Sequence, residues 1–145
     1  MDKKIGKVLE LFISKKGDKN RTNITQISLD ENGIIGDKFY ALDIQRSVLI
    51  TSLHSYEITK SHNIDMPYGA LGENILINYN PYHLNIGTKI KIGDVILEIS
   101  QPCTLCNHLS KINKAVPKLL KDDRGIFAKV IKNGQINKND NITLI

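Results

Sequence analysis

Thr88-Lys89-Ile90-Lys91-Ile92-Gly93-Asp94-Val95-Ile96-Leu97-Glu98-Ile99-Ser100 decides the fold. Apolar and polar residues alternate on both sides of Gly93-Asp94, so each half reads as a strand with one face in a core. Gly-Asp between two alternating runs marks a tight two-residue hairpin turn. Pro102 cannot extend the second strand's ladder, so the chain should turn there.

Working outward, the same grammar recurs. Ile5 to Ser14 is β-like and ends in the polar turn Lys15 to Asn20. Ile24 to Leu29 reads as a weaker strand, closed by the turn Asp30-Glu31-Asn32-Gly33. Gly33-Ile34-Ile35-Gly36-Asp37 brackets two apolar residues with glycines, where the backbone bends or approaches something closely. Arg46 to Ile50 is a short buried strand. Thr51 or Ser52 then caps a helix to about His62, with Leu53, Tyr56 and Thr59 as its inner stripe. Met66-Pro67-Tyr68-Gly69 ends it, and Ile75-Leu76-Ile77 follows as a strand.

Beyond Pro102, Leu105, Leu109 and Ile112 have helical spacing, and Val116 to Leu120 forms a second short helix started by Pro117. Ile126 to Ile131 is a strand, Lys132-Asn133-Gly134 a hairpin turn, and Asp140 to Ile145 a closing strand. Many short strands, close turns and two or three short helices predict a mainly β, β-barrel-like fold, one domain over residues 1–145.

The 145 residues suffice for a self-standing core, and with no Trp it is built mainly of Ile, Leu and Val. The net charge of +5 is spread thinly along the chain. It fits a solvated surface or a basic face for a small anion. No aromatics interleave with the lysine groups Lys3-Lys4, Lys15-Lys16, Lys89 with Lys91 and Lys118 to Lys121, and no nucleic-acid-binding spacing occurs, so nucleic acid is not expected as a partner. No apolar run reaches membrane-spanning length and no signal peptide is visible, so a cytoplasmic protein with reduced thiols is expected.

The chemistry concentrates in Gln101-Pro102-Cys103-Thr104-Leu105-Cys106-Asn107-His108, which holds both cysteines of the chain. Four readings stay open. With His108 the pair offers three metal ligands, one short of a structural zinc site. A dithiol redox pair is the second, without the expected βαβ context. The third, favoured here, is a single nucleophilic cysteine at a helix start, where the dipole favours thiolate. Inert apolar filling is the fourth.

Gly69-Ala70-Leu71-Gly72-Glu73-Asn74 is either a glycine-rich turn or a loop whose N–H groups cradle an anion. Glu73 and Asn74 at its exit are candidates to anchor the loop or touch ligand. Arg46 is a candidate anion ligand or a surface ion-pair partner.

Taken in order, these pieces resemble the MOSC family, named after the C-terminal domain of molybdenum-cofactor sulfurases, and its small stand-alone bacterial members. Gly36-Asp37 is similar to the family's early glycine-aspartate pair, and Arg46-Ser47-Val48-Leu49 to its arginine-led strand. Gly69 to Asn74 resembles its glycine-glutamate-asparagine loop, and Ile86-Gly87-Thr88 through Gly93 its paired hairpin. Leu97 to Gln101 corresponds to the strand before the family cysteine, which falls on Cys106, and Gly125 to Val130 with Gly134 to the C-terminal segment. Two positions differ: Phe39 stands where many members have histidine, and Cys103 where most have no cysteine.

The resemblance implies a β-barrel-like domain in which Cys106, Arg46, Gly72, Glu73 and Asn74 frame one site. It implies either sulfur carried as a persulfide or molybdenum cofactor (molybdopterin) held through Cys106 as metal ligand. The sulfur donor would be a separate pyridoxal-phosphate-dependent cysteine desulfurase, and a molybdoenzyme or its cofactor the acceptor. Cys106 is the expected nucleophile and Cys103 its helper, able to form a reversible disulfide. A zinc-stabilised module without catalysis is the alternative.

Overall fold

The computed structural model describes residues 2–18, 21–104 and 109–145. In chain order it contains β1 (Lys3–Ile13), β2 (Thr22–Ile24), β3 (Gln26–Asp30), β4 (Gly33–Ile34) and a 3-10 turn (Ile44–Arg46). β5 (Val48–Ser52), α1 (Leu53–Ser61), β6 (Ile75–Ile77), β7 (Lys89–Ile92) and β8 (Val95–Pro102) follow. The chain closes with α2 (Leu109–Ile112), α3 (Val116–Leu119), β9 (Ile126–Lys132), β10 (Gly134–Asn137) and β11 (Asn141–Leu144).

Seven strands close a barrel in the order β11-β7-β8-β9-β5-β6-β1, with β1 pairing back onto β11. The β7–β8 hairpin is its clearest segment: Ile92 faces Val95, and Gly93 turns the chain at φ +56°. The β5–β6 pair is parallel, so it needs a long crossover, supplied by α1 and the loop after it. β1 bends enough to pair with β11, β6 and β2 in succession, with register shifts near Gly6 and Leu9.

Period-two alternation sorts the side chains into two cores. Val48, Ile50, Ile75, Ile77, Ile126 and Ala128 fill the barrel. Leu76 points the other way, into a second cluster with Tyr56, Leu71, Leu109, Val116 and Leu120, where the helices cover the wall. All five residues of β5 are buried, because both its faces are covered. That is why its sequence is an unbroken run rather than an alternation.

Three sequence expectations need correction. Ile24 to Leu29 is not one strand: the chain breaks at Thr25, and β3 leaves the barrel to join β10 and β4 in a three-stranded sheet. Likewise Lys132-Asn133-Gly134 is no hairpin turn. β9 sits between β8 and β5, while β10 crosses over and sets Ile136 against Ile27 of β3. Burying Ile136, which is fully covered, outweighs the local tendency to fold back. Arg46 also shifts from strand to the end of the 3-10 turn, which Asp43 caps by accepting from Gln45 N at 3.0 Å.

The helix of Leu53 to Ser61 is capped by Ser52, whose Oγ accepts from His54 N at 3.1 Å. The helical stretch expected from Leu105 lies partly outside the described residues; its described part is α2. Among the described residues no helix is long and apolar enough to cross a membrane.

Candidate functional site

A cavity of about 750 Å³ opens on the outer face of the barrel wall, over β5 and β9. Leu49 and Phe127, directly paired across the β5–β9 ladder, both line it. This follows from the alternation: their neighbours Val48, Ile50, Ile126 and Ala128 point into the barrel, so these two point out. The loop between β4 and the 3-10 turn supplies Phe39 and Leu42, and Leu71 adds a fully buried wall. The walls are therefore largely apolar.

Set into them are all three arginines of the chain, Arg21, Arg46 and Arg124, together with Lys38. Asp43 is the single acidic residue among the lining side chains.

Arg124 is the most telling. It is 5% exposed, and its Nε and Nη1 have no hydrogen-bond partner among the described residues. A buried guanidinium with two unpartnered nitrogens is costly, and an oxyanion beside it removes that cost. The backbone fixes its neighbour: Cys103 N donates to Gly125 O at 2.9 Å, extending the β8–β9 pairing past Pro102 and Ile126. The Cys103 side chain, itself buried, lines the same cavity.

Arg21 donates to Glu73 O at 3.4 Å and lies over Gly72, where the positive φ of +84° calls for glycine while a Cβ would touch the guanidinium only at an ordinary 3.7 Å. Burial pulls its pKa down, and repulsion from Arg124 adds to this. Asp37 and Glu73 pull it back up. Arg46 rests on Phe127, guanidinium carbon 4.9 Å from the ring centroid. Lys38 stands over Phe39 at 5.1 Å. Buried Asp37 aims this segment by accepting from Ser14 N at 2.7 Å and Phe39 N at 3.3 Å.

The loop of Gly69 to Asn74 forms another wall. Glu73 is fully buried; its Oε2 accepts from Thr51 Oγ1 at 2.7 Å and Tyr56 OH at 2.5 Å, while Oε1 has no partner. Asn74 spans two strands: Oδ1 accepts from Leu49 N at 3.0 Å and Nδ2 donates to Phe12 O at 3.3 Å. The acid and the amide thus tie the loop to β1, β5 and α1.

Of the residues singled out in the sequence, Arg46, Gly72, Asn74 and Cys103 line this one cavity. Glu73 stands behind it and holds its wall. Cys106 and His108 lie outside the described residues. Among the described residues no group of three His, Cys, Asp or Glu side chains could hold a metal ion. Sequence reasoning misses Arg21, Lys38 and above all Arg124, which sits in the polar stretch Asp122-Asp123-Arg124-Gly125. A usable signal existed. The chain has seventeen lysines and only three arginines, so each arginine marks a place where a planar, multidentate cation has a use that lysine does not serve.

The model of the MOSC domain matches residues 19–143. The chain belongs to the MOSC domain family. That family is linked to molybdenum-cofactor-related proteins. Solved structures agree on the fold. The YuaD protein of Bacillus subtilis superposes with a TM-score of 0.84 at 18% identity, covering 99% of this chain and 97% of that one. YiiM from Geobacillus stearothermophilus gives 0.71 at 13% identity over 100% of this chain and 75% of that one. YiiM from Escherichia coli gives 0.73 at 17% identity, over 96% and 69%. A comparison with curated proteins finds no match. In this MOSC domain the cavity takes its cations from segments far apart in sequence, before β2, before β5 and before β9, which only barrel closure brings together.

Proposed function

We propose that the cavity is a binding site for molybdenum cofactor, with the arginines taking its terminal phosphate and a cysteine thiol at the wall. The observation that carries this reading is the buried Arg124 guanidinium with two unpartnered nitrogens, in a cavity with apolar walls and two further arginines. Residues and group fit. Arg124 and Arg21 would hold the phosphate by charge-assisted hydrogen bonds. Phe127, Leu49 and Leu71 offer flat and branched surfaces to a pterin body, and the thiols offer soft ligands to a metal. When bound, the cofactor would supply a redox-active, sulfur-coordinated metal centre. This chain's own part is to bind the phosphate, keep water from the pterin body and present sulfur.

The test is titration of the purified protein, under nitrogen, with cofactor released from a molybdoenzyme, followed by pterin fluorescence. Saturable one-to-one binding, weakened at least about tenfold in Arg124→Gln, supports the reading. Absence of saturable binding rejects it.

A second reading is favoured by one observation. Cys103 is buried at the wall of the same cavity that Arg124 lines, so a sulfur atom held there as persulfide would be shielded from solvent thiols. On this reading the protein carries sulfur from a donor to molybdenum cofactor or a molybdoenzyme. A pyridoxal-phosphate-dependent cysteine desulfurase is one donor, with Cys106 receiving and Cys103 assisting. Mass spectrometry after incubation with such a desulfurase and cysteine tests it, and no added sulfur on either cysteine would reject that route.

A further inference from the structure

We infer that the corner of the cavity formed by Cys103 and Arg124 accepts a small sulfane-sulfur oxyanion, thiosulfate or an organic thiosulfonate, and takes its outer sulfur onto Cys103. The inference rests on the sulfur-carrier reading and replaces a protein donor with a small molecule.

Three observations converge. First, Arg124 is 5% exposed with Nε and Nη1 unpartnered, and it lines the cavity. An oxyanion is the chemical class that satisfies such a group. Second, Cys103 and Arg124 line the same cavity, and the 2.9 Å bond from Cys103 N to Gly125 O fixes the cysteine's backbone against the residue that follows Arg124. An anion seated on Arg124 is therefore held in the cavity that the Cys103 side chain lines. Third, Cys103 is only 8% exposed. Another protein's cysteine would have to enter the cavity to reach it, whereas a small anion needs only the opening.

The neighbouring charges agree. Arg21 and Arg124 repel each other, and burial disfavours the charge on Arg21; a dianion relieves both. One carboxylate, Asp43, lines the cavity, where it caps the 3-10 turn by accepting from Gln45 N; two others nearby are turned to other work. Asp37 is occupied by the N–H groups of Ser14 and Phe39, and Glu73 does not line the cavity. The apolar walls at Leu49 and Phe127 leave room for the organic group of a thiosulfonate.

The step balances without any further reagent. Cys103 gives up its proton to solvent, and its thiolate attacks the outer sulfur of thiosulfate. The sulfur–sulfur bond of thiosulfate breaks, and its electron pair leaves on sulfite. Cys103 is left as a persulfide anion, one sulfite released per sulfur gained. A cation at the oxyanion stabilises the departing sulfite as well as the bound substrate, so Arg124 would act on both binding and turnover.

The experiment uses Cys106→Ser, so that sulfur cannot move on to the second thiol. The protein is incubated with thiosulfate, sulfite is measured, and the site of added sulfur is located by mass spectrometry. One sulfite per sulfur atom on Cys103 is expected, with none in Cys103→Ser. In Arg124→Gln the half-saturating thiosulfate concentration should rise about tenfold to a hundredfold. Alkylation of Cys103 by a neutral reagent should stay within about threefold of the parent. Should that variant not fold, Arg124→Lys provides the same comparison with a smaller shift. Inorganic polysulfide, which carries no oxyanion head, is the control donor. If polysulfide loads Cys103 and thiosulfate does not, the inference falls while the carrier reading stands. If neither loads it, the inference falls, and the carrier reading is decided by the desulfurase experiment with Cys106 intact. Loading by thiosulfate that ignores Arg124, or that occurs in Cys103→Ser, also overturns the assignment.

Discussion

Tyr56 donates its hydroxyl to Glu73 Oε2 at 2.5 Å while accepting the N–H groups of Gly69 at 3.1 Å and Leu71 at 3.4 Å. One phenol therefore pins the glycine loop to α1 and holds a fully buried carboxylate. Tyr56→Phe removes all three bonds and leaves Glu73 with Thr51 as its hydrogen-bond partner. Urea unfolding should show a loss of about 1–3 kcal/mol, and exchange of the Gly69 and Leu71 amides should quicken. An unchanged midpoint with unchanged exchange would mean that the loop is held by its apolar contacts instead.

Alkaline stability should expose the same phenol and a second one. Burial raises the pKa of Tyr56, with the Glu73 charge adding to it, and burial pushes Tyr82 up to about 12. The folded state thus keeps protons that the unfolded chain loses near 10. Stability from these groups is fully present below about pH 10 and falls as the pH rises beyond it. The melting temperature should drop steeply between about pH 10 and 12. Tyr82→Phe lowers the plateau, since Ser52 N loses its 2.8 Å partner, and should make the fall shallower. A parallel fall in parent and variant would contradict the account.

The barrel was legible because its strands announce themselves by alternation. Ile90 and Ile92 are buried between exposed Lys89 and Lys91, as the pattern required. β10 was illegible because Ile136 is its one buried residue, and a single apolar residue carries no period. The site divides in the same way. Gly72 and Asn74 stand out because a glycine-rich loop entering a strand is a local feature. Arg124 does not, because its meaning is its burial, and that depends on β8, β9 and the helices closing around it. The ties made by Glu73 and Asn74 are likewise invisible locally: their partners Tyr56, Thr51, Leu49 and Phe12 lie 17 to 62 residues away.

Arg46 should matter through its plane as much as its charge. It is exposed, and its guanidinium lies over Phe127. Arg46→Lys keeps the charge but loses the flat stacking surface and the fork of donors. Affinity for an anionic ligand of the cavity should fall about threefold to tenfold in Arg46→Lys, with folding stability within about 0.5 kcal/mol of the parent. Calorimetric titration with the cofactor used above measures the first and urea unfolding the second. Equal affinity in both proteins would place Arg46 outside the ligand's reach.

Gly69 and Asn74 bound the loop that walls the cavity, and they should fail for different reasons. Gly69 adopts φ +92°, and a Cβ there would meet Phe12 Cε1 at 3.0 Å. Gly69→Ala is therefore strained in its backbone and crowded at once, by about 1–3 kcal/mol. Asn74 fails electrostatically. Its Nδ2 donates to Phe12 O while Oδ1 receives Leu49 N. Asn74→Ala leaves the buried Leu49 N–H without its side-chain acceptor, at a cost of about 1–3 kcal/mol. Asn74→Asp keeps the acceptor but turns the donor into a second oxygen facing the Phe12 carbonyl, in a buried setting. At neutral pH it should be the less stable of the two, and acidification toward pH 4 should narrow the gap, because a protonated acid can again donate to Phe12 O. Urea midpoints at pH 7 and pH 4.5 for the two variants decide the matter. If Asn74→Asp is the more stable at pH 7, the amide is not acting as a bridge between β1 and β5.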